Sequence, residues 1–346
     1  MPTGGIMQVG LIGLGRAGRV HYDAWRAIEG DGTRLVAVCD PTPAVRRWAR
    51  SEGLRSYADP LEMIGREKLD AVSIASPPLY HAPTAIACLR AGLDVLCEKP
   101  LAVNGRTALR MAEAATRYGR NLLLATKFRH VPDLIAARSL VADGAIGEPI
   151  AFEIDFSSMV DMSKRWNVRK AVSGGGVIID NGCHAFDIVS FLFGTVTRVQ
   201  ATRLKPVQNI PVEDSATILC SAGRGLIGRI ELSWSLQTGR ETYVTIYGSK
   251  GTIEIGWRGS RLKVAGQPPQ DIGPGYDKNL AHQRMMRTFV EVVRGHGEPW
   301  ITPGEGLRTQ AAVEAAYASL RSGGWVPVDT MGLCESSRRA PVRARA

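Results

Sequence analysis

A glycine-rich turn between an apolar run and a helical segment is the feature that most constrains the fold of this chain. Residues 6–12, IMQVGLI, are apolar and lead directly into Gly13-Leu14-Gly15-Arg16-Ala17-Gly18, which has the spacing G-x-G-x-x-G. Residues 17–28 then place apolar side chains at helical spacing. A buried parallel strand, a tight turn and a helix are therefore predicted in that order.

Each glycine of this turn has its own role in binding a dinucleotide. Gly13 permits the tight turn, Gly15 lets the main chain approach the pyrophosphate, and Gly18 lets the helix pack closely on the strand. The N-terminus of the helix favours the negative charge of the phosphates. The residues predicted to line the cofactor here are Gly13, Leu14, Gly15, Arg16, Ala17 and Gly18.

An acidic residue stands where a dinucleotide site of this type requires one. Asp40 closes the next apolar run, RLVAVCD, at the end of a predicted strand. Its carboxylate can accept hydrogen bonds from both ribose hydroxyls of NAD, and it would repel the 2′-phosphate of NADP. Arg46 and Arg47 follow shortly after, so NADP stays an alternative to the predicted cofactor, NAD.

The order in which predicted strands and helices follow one another changes near residue 126. Up to that point apolar runs alternate with helices of about a dozen residues, which predicts a doubly wound parallel sheet of the Rossmann type. From 196 to 264 strand-like segments follow one another, which predicts an α+β domain with an open, mostly antiparallel sheet. The predicted divisions are an NAD-binding domain at 1–126, a second domain of the α+β type at 127–330, and a basic, disordered tail at 331–346.

Charge and cysteine content narrow the classes of function. The net charge is +10, and four of the positive charges (Arg338, Arg339, Arg343 and Arg345) lie in the tail. No nucleic-acid motif accompanies them, so the positive field suits an anionic small molecule better. The six cysteines form no C-x-x-C pair, which is typical of thiols in a reducing compartment. No apolar run reaches the roughly 18 residues of a membrane span, so we expect a cytoplasmic protein without membrane contact.

Two segments follow predicted strands of the first domain, and ligands of such sheets bind beyond the carboxyl ends of the strands. Ser76-Pro77-Pro78 follows the run DAVSIA, and His81 begins the next helix, as a cofactor contact or as a capping histidine. Glu98-Lys99-Pro100 ends the following strand. The ammonium of Lys99 can stabilise developing charge on an oxygen, although a solvated Glu98–Lys99 pair is the simpler alternative.

A third segment, GGGVIIDNGCH at 174–184, places Asp180 and His184 four residues apart. On one helix, which is predicted from about 180 to 193, the two side chains would share a face. A histidine beside an acid suits general acid–base catalysis, with a buried histidine and its carboxylate partner as the alternative. No third ligand stands at metal-site spacing, so no metal is expected.

In order and spacing, these segments resemble the glucose–fructose oxidoreductase, inositol dehydrogenase and rhizopine-catabolism (Gfo/Idh/MocA) family from residue 6 to about 328. The resemblance implies catalysis by Lys99, Asp180 and His184. His184 would take the proton of the reacting hydroxyl, Lys99 would polarise its oxygen and touch the cofactor ribose, and Asp180 would bind substrate hydroxyls and orient His184. Ser76, Pro77, His81, Glu98 and Lys99 would line the cofactor, and Lys127, Arg129, Arg165 and Trp166 would line the substrate pocket.

The resemblance also implies a sugar, sugar derivative or cyclitol as substrate, and a homodimer or homotetramer formed through the exposed face of the second sheet. Reduction of another substrate, such as an aromatic dihydrodiol or a tetrapyrrole, stays open, as does a dinucleotide-binding sensor without turnover. The hypothesis that Lys99 and His184 are catalytic requires the Lys99 ammonium and the His184 imidazole to flank one nicotinamide ring.

Overall fold

The computed structural model describes residues 5–223 and 225–329. The predicted basic tail, with Cys334, lies outside these residues. The chain forms two compact units. Of the described residues, the first unit contains 5–126 together with Asn279–Leu307, and the second contains those of Lys127–Lys278 and residues 308–329.

The first unit begins with alternating strands and helices, as the apolar runs predict. A strand at Arg55–Tyr57 and a helix at Pro60–Arg66 are missing from the prediction, and the strand is only three residues long and has no apolar run. The elements are β1 (Met7–Ile12), α1 (Arg16–Ala27), β2 (Thr33–Cys39), α2 (Pro43–Ser51), β3 (Arg55–Tyr57), α3 (Pro60–Arg66), β4 (Ala71–Ile74), α4 (His81–Arg90), β5 (Asp94–Glu98), α5 (Gly105–Tyr118) and β6 (Leu122–Ala125).

The six strands form one parallel sheet in the order β3-β2-β1-β4-β5-β6. This confirms the predicted doubly wound sheet. The chain leaves β1 towards β2 on one side and later returns to β4 on the other, so the order reverses at β1. Ligands of such sheets bind at this reversal, beyond the carboxyl ends of the strands.

The elements of the remaining chain include more strands than helices. They are α6 (Pro132–Ala142), β7 (Pro149–Ser157), α7 (Lys170–Ser173), α8 (Val177–Asp180), α9 (Gly182–Phe193), β8 (Val196–Arg203), β9 (Ser215–Ala222), β10 (Leu226–Ser233), β11 (Thr242–Gly248), β12 (Gly251–Gly256), β13 (Ser260–Val264), β14 (Gln270–Gly273), α10 (Lys278–Val293), α11 (Pro303–Ser322) and β15 (Val326–Pro327).

Nine strands form the sheet of the second unit, in the order β14-β13-β12-β11-β7-β10-β9-β8-β15. Only the pair β7–β10 is parallel, so the predicted open, mostly antiparallel sheet is confirmed. Its inner face packs on α9, whose side chains are largely buried. Gly228 in β10 leaves room for the ring of Phe152, which a Cβ at position 228 would overlap.

The segment Asn279–Leu307 belongs to the first unit, whereas the sequence analysis placed it in the second domain. The reason is its apolar face: Met286 and Phe289 of α10 are fully buried in the same cluster as Trp25 of α1. The Trp25 and Phe289 rings meet edge to face, with centroids 6.2 Å apart.

Among the described residues, no single helix has the length and apolarity of a membrane span. Lys170–Asp180 and Gly182–Phe193, which are bent by 46° from each other, pass that test only as a pair.

Candidate active site

The glycine turn after β1 has the shape that a dinucleotide requires. Gly13 has a φ of +87°, which favours glycine, and a Cβ on Gly18 would overlap the Gly13 carbonyl oxygen. In contrast, apart from the chain neighbours of Gly15, no atom of the described residues lies within 4 Å of the place where its Cβ would stand. The space in front of Gly15, at the start of α1, is therefore open to a phosphate group.

Asp40 lies at the end of β2 and is tied to the glycine turn. Its Oδ2 accepts a hydrogen bond from the main-chain N–H of Leu14 at 2.9 Å, and its Oδ1 accepts one from Thr42 at 2.8 Å. Arg46 donates to the main-chain oxygens of Asp40 and Pro41, at 2.8 and 2.7 Å. The acid predicted to contact the ribose thus also holds the turn in place.

The loop after β4 is tied to the residue that follows Lys99. His81 is fully buried, and its two ring nitrogens lie 2.7 Å from the Ser76 carbonyl oxygen and 2.9 Å from the Pro100 carbonyl oxygen. Burial lowers the pKa of this imidazole. His81 therefore holds the Ser76-Pro77 loop rather than lying at the surface. The Ser76 hydroxyl oxygen is shielded from solvent and has no hydrogen-bond partner among the described residues, as expected of a group that awaits a ligand.

Lys99 follows the last residue of β5, is half-buried, and is joined to Pro100 by a cis peptide bond. The carboxylate of Glu98 lies inside the unit, 12% exposed, so the Glu98–Lys99 segment is not simply a solvated pair. Oε1 of Glu98 lies 2.9 Å from Nε2 of His21, and Oε2 accepts a hydrogen bond from the main-chain N–H of Lys99 at 3.0 Å.

Asp180 and His184 lie on two short helices, not on the single helix predicted. α8 ends at Asp180 and α9 begins at Gly182. Asn181 lies at the break and donates a side-chain hydrogen bond to the Phe156 carbonyl oxygen at 3.1 Å, which ties the break to β7. His184 is 9% exposed and packs edge-on against Phe128, with centroids 5.1 Å apart.

The start of α8 rests on a buried carboxylate that the sequence analysis missed. Oε1 of Glu213 accepts hydrogen bonds from the main-chain N–H groups of Gly176 and Ile178, at 3.0 and 3.1 Å, and from the Tyr317 hydroxyl at 2.7 Å. A Cβ on Gly175 would overlap the Tyr317 hydroxyl. The run Gly174–Gly176 was the available signal, since glycines allow another part of the chain to approach the backbone closely. It does not indicate which residue approaches.

The predicted pocket residues differ in their surroundings. Arg129 is 3% exposed, and its guanidinium forms an ion pair with Asp187 at 2.8 Å, so it is held inside the unit. Lys127 is half-buried, with Nζ 5.3 Å from the Phe128 ring centroid. Arg165 and Trp166 are half-buried, and the next residue, Asn167, places Nδ2 3.5 Å from Oδ2 of Asp180.

Gln208 holds the loop that leads to Arg165 and was not predicted. Its Oε1 accepts a hydrogen bond from the main-chain N–H of Met162, and its Nε2 donates to the Val160 carbonyl oxygen, both at 2.9 Å. Asn167 and Gln208 therefore join the candidate site of the second unit.

The predicted residues fall into two groups, one in each unit. The glycine turn, Asp40, Ser76, Glu98 and Lys99 lie at the carboxyl ends of β1, β2, β4 and β5. Asp180 and His184 lie at the break between α8 and α9. The expected meeting of Lys99 and His184 at one nicotinamide ring stays a prediction.

The first group fits NAD. The open space at Gly15, the helix start at Arg16 and the unpartnered Ser76 hydroxyl suit a pyrophosphate and its neighbouring groups, and Asp40 suits a ribose. The second group offers an imidazole and a carboxylate, which suit proton transfer and the binding of hydroxyl groups.

Comparison with known proteins gives the same result. Residues 7–126 match the family described as "Oxidoreductase family, NAD-binding Rossmann fold", and residues 134–254 match the "GFO/IDH/MOCA C-terminal domain". The chain is 32% identical to D-apiose dehydrogenase from Paraburkholderia graminis, over 93% of this chain and 89% of that protein. It is 28% identical to inositol 2-dehydrogenase from Rubrobacter xylanophilus, over 94% of each.

A solved structure extends the likeness to three dimensions. The WlbA dehydrogenase from Bordetella pertussis, solved with NADH and UDP-GlcNAcA, superposes with a TM-score of 0.85 at 26% identity, covering 95% of this chain and 99% of that one. The predicted cofactor, NAD, is thereby confirmed together with the oxidoreductase class. The chain belongs to the Gfo/Idh/MocA family of NAD-binding oxidoreductases.

Proposed function

We propose that this chain transfers a hydride between NAD and a hydroxyl-bearing carbon of a sugar, sugar derivative or cyclitol. The names of its relatives, D-apiose dehydrogenase and inositol 2-dehydrogenase, support this substrate class. The observation that carries the proposal is the placement of Asp180 at the end of α8 and of His184 in the first turn of α9, on either side of the break. Asp180 is half-buried beside the Asn167 amide, and His184 is nearly enclosed by aromatic rings.

We propose a separate role for each of three side chains. His184 accepts the proton of the reacting hydroxyl, because an imidazole exchanges protons near neutral pH. Lys99 donates a hydrogen bond to the same oxygen and stabilises the negative charge that develops on it. Asp180 accepts hydrogen bonds from neighbouring hydroxyls of the substrate and orients His184. NAD, when bound, takes the hydride that leaves the carbon, and in reduction the same groups act in reverse.

We propose that the remaining predicted residues line this site. The residues from Gly13 to Gly18, with Asp40, Ser76, Pro77, His81 and Glu98, would hold NAD directly or by supporting its loops. Lys127 and the Arg165-Trp166 segment would contact the substrate. We propose that Arg129 supports the pocket, because its ion pair with Asp187 joins the turn at Lys127–His130 to α9.

The test is NADH formation, followed by nicotinamide absorbance, over a panel of inositols, aldoses and sugar phosphates. We expect at least one of these polyols to be oxidised. The variant Lys99→Ala should lose turnover by two orders of magnitude or more and still bind NAD, since its charge acts on the reacting oxygen. Lys68→Ala, which alters an exposed lysine of the same unit, is the matched control.

Two outcomes would count against the proposal. If NAD binds and no polyol of the panel is oxidised, the substrate class is wrong, and aromatic dihydrodiols are the next panel. If Lys99→Ala is as active as Lys68→Ala, the catalytic assignment of Lys99 is wrong.

We also propose a homodimer or homotetramer in the cytoplasm. Leu219, Ile227 and Tyr247 are exposed on the outer face of the second sheet, and such apolar side chains support a contact between copies. Light scattering of the purified protein tests the oligomer, since a particle at the 37.4 kDa of one chain would exclude it. Cell fractionation tests the location.

A further inference from the structure

A largely buried carboxylate lies beside two imidazoles at the end of β5. The carboxylate is that of Glu98, and the imidazoles belong to His21 of α1 and His282 of α10. One ligand-type atom from each of the three lies within 4.8 Å of the other two. His21 is fully buried, and His282 is 4% exposed. All three residues belong to the first unit.

The contact distances identify this cluster as a hydrogen-bond network rather than a metal site. Nδ1 of His21 lies 2.7 Å from the Ser73 hydroxyl, and Nε2 lies 2.9 Å from Oε1 of Glu98. Nε2 of His21 donates to Glu98, and Nδ1 shares a second hydrogen bond with the Ser73 hydroxyl, so both ring nitrogens have a partner. Ligands of a tetrahedral zinc stand about 3.3 Å apart, which is wider than this pair.

The other oxygen of Glu98 is joined to Lys99. Oε2 accepts the hydrogen bond from the main-chain N–H of Lys99, so the carboxylate fixes the backbone from which the Lys99 side chain extends. Burial alone would raise the pKa of Glu98. The hydrogen bond from His21 and the charges of His21, Lys99 and His282 outweigh burial and lower this pKa to about 2.

The attraction between Glu98 and Lys99 works in both directions. The positive charge of Lys99 favours the ionised carboxylate, so the ionised carboxylate equally favours the protonated amine. The charge of Glu98 also acts on the buried His81 imidazole of α4 and on the buried Cys97 thiol of β5. An ammonium at Lys99, and not an amine, is the form that stabilises charge on a substrate oxygen.

We propose that Glu98, which is bonded to His21 and lies near His282, is the positioning residue that anchors Lys99 at the end of β5 and keeps its side chain protonated. This inference rests on the proposed function, because Lys99 is the group that Glu98 serves. It changes the role predicted for Glu98 from a direct cofactor contact to support of the catalytic lysine.

The experiment measures the protonation of Lys99 without turnover. The full-length protein is labelled with trace acetic anhydride between pH 6 and pH 11, and mass spectrometry follows acetylation of Lys99. In Glu98→Gln we expect the midpoint of this labelling to move down by about one pH unit, because an opposite charge is lost. Glu62→Gln, which alters a carboxylate at 42% exposure on α3, should leave the midpoint unchanged.

A second variant separates charge from position and covers the case in which Glu98→Gln does not fold. Glu98→Asp keeps the charge but shortens the side chain by one methylene. We expect its labelling midpoint within about 0.3 pH units of the parent, with kcat reduced and the KM for the substrate little changed. For Glu98→Gln we expect the alkaline limb of the kcat/KM profile to move to lower pH with the labelling midpoint.

An unchanged midpoint in a folded Glu98→Gln variant would overturn the inference, as would a Glu98→Asp midpoint that falls by a full unit. The labelling needs no substrate, so its outcome is independent of the proposed function. If the labelling midpoint moves as expected while no polyol is oxidised, the role inferred for Glu98 is supported and the proposed substrate class is wrong.

Discussion

The main-chain carbonyl oxygen of Glu213 occupies the space that a side chain on Gly176 would need. The same glutamate accepts a hydrogen bond from the Gly176 N–H through its carboxylate, at 3.0 Å. Glu213 thus approaches the start of α8 through both its backbone and its side chain, and α8 ends four residues later at Asp180. The glycine run is therefore required for packing as well as for a turn.

The first prediction concerns this close approach. Gly176→Ala should lower the free energy of unfolding by about 1–3 kcal/mol, because a methyl group there overlaps main-chain atoms that cannot easily move. Gly65→Ala is the control, since a Cβ at this helical position meets nothing within 4 Å. It should be neutral or stabilising. Equal melting temperatures for the two variants would contradict the packing seen here.

The second prediction concerns the Tyr317 hydroxyl, which donates to Glu213. Burial, and then the charge and hydrogen bond of Glu213, raise the pKa of Tyr317, so the hydroxyl stays protonated throughout the working range. Tyr317→Phe should cost about 1.5–3 kcal/mol in urea unfolding, the usual loss for a hydrogen bond to a charged group. Tyr80→Phe, which alters a tyrosine at 52% exposure, should cost nothing measurable. If the two variants unfold at the same urea concentration, the hydrogen bond does not contribute.

The third prediction concerns cofactor choice at Asp40. Asp40→Ala should weaken NAD binding about tenfold or more, because it removes a charged hydrogen-bond acceptor, and should weaken NADP binding less. Dissociation constants of the reduced forms, NADH and NADPH, are measured from nicotinamide fluorescence. Asp40→Asn keeps an oxygen for the Leu14 N–H and shows whether the turn or the ribose contact is lost. Asp23→Ala, an exposed acid on α1, is the control. Equal losses for NAD and NADP would argue against the ribose role.

The fourth prediction is a pH dependence of stability at Glu98. Its pKa in the folded protein is about 2, below the ordinary value of 4.5. Because the pKa of Glu98 is lower in the folded state than in the unfolded state, its ionised carboxylate stabilises the fold at a pH above the unfolded-state pKa. This contribution disappears as the pH falls from about 4.5 towards 2. The difference in unfolding free energy between the parent and Glu98→Gln should therefore be largest above pH 5, at most about 3 kcal/mol, and should shrink below it. A difference that stays constant from pH 6 to pH 3 would contradict the lowered pKa.

The fifth prediction separates two neighbouring cations that the sequence analysis placed in one pocket. Arg129→Ala should lower stability by about 3–5 kcal/mol, because it leaves the buried carboxylate of Asp187 without its ion-pair partner. Lys127→Ala should change stability little and instead raise the KM for the substrate. Thermal unfolding and steady-state kinetics of both variants test this division, and the reverse pattern would refute it.

The cofactor half of the site was predictable because it is local in the chain. The strand, turn and helix around Gly13–Gly18 are contiguous, and Asp40 follows at the end of the next strand. In such a unit each glycine and the acid has its own role in binding a dinucleotide, so the spacing of these residues indicates the ligand. Periodicity also predicted most strands and helices, but not β3, whose three residues carry no apolar run.

The supports of the site could not be predicted. His282 meets Glu98 from a helix that the sequence analysis placed in the other domain, and Tyr317 meets Gly176 across 141 residues. Apolar periodicity shows which face of a helix is buried but not which distant segment covers it. The chain's own order of residues therefore determined the dinucleotide turn, the family and the cofactor. Only tertiary packing decided which buried partners hold Lys99 and α8, because those contacts depend on how remote segments pack together.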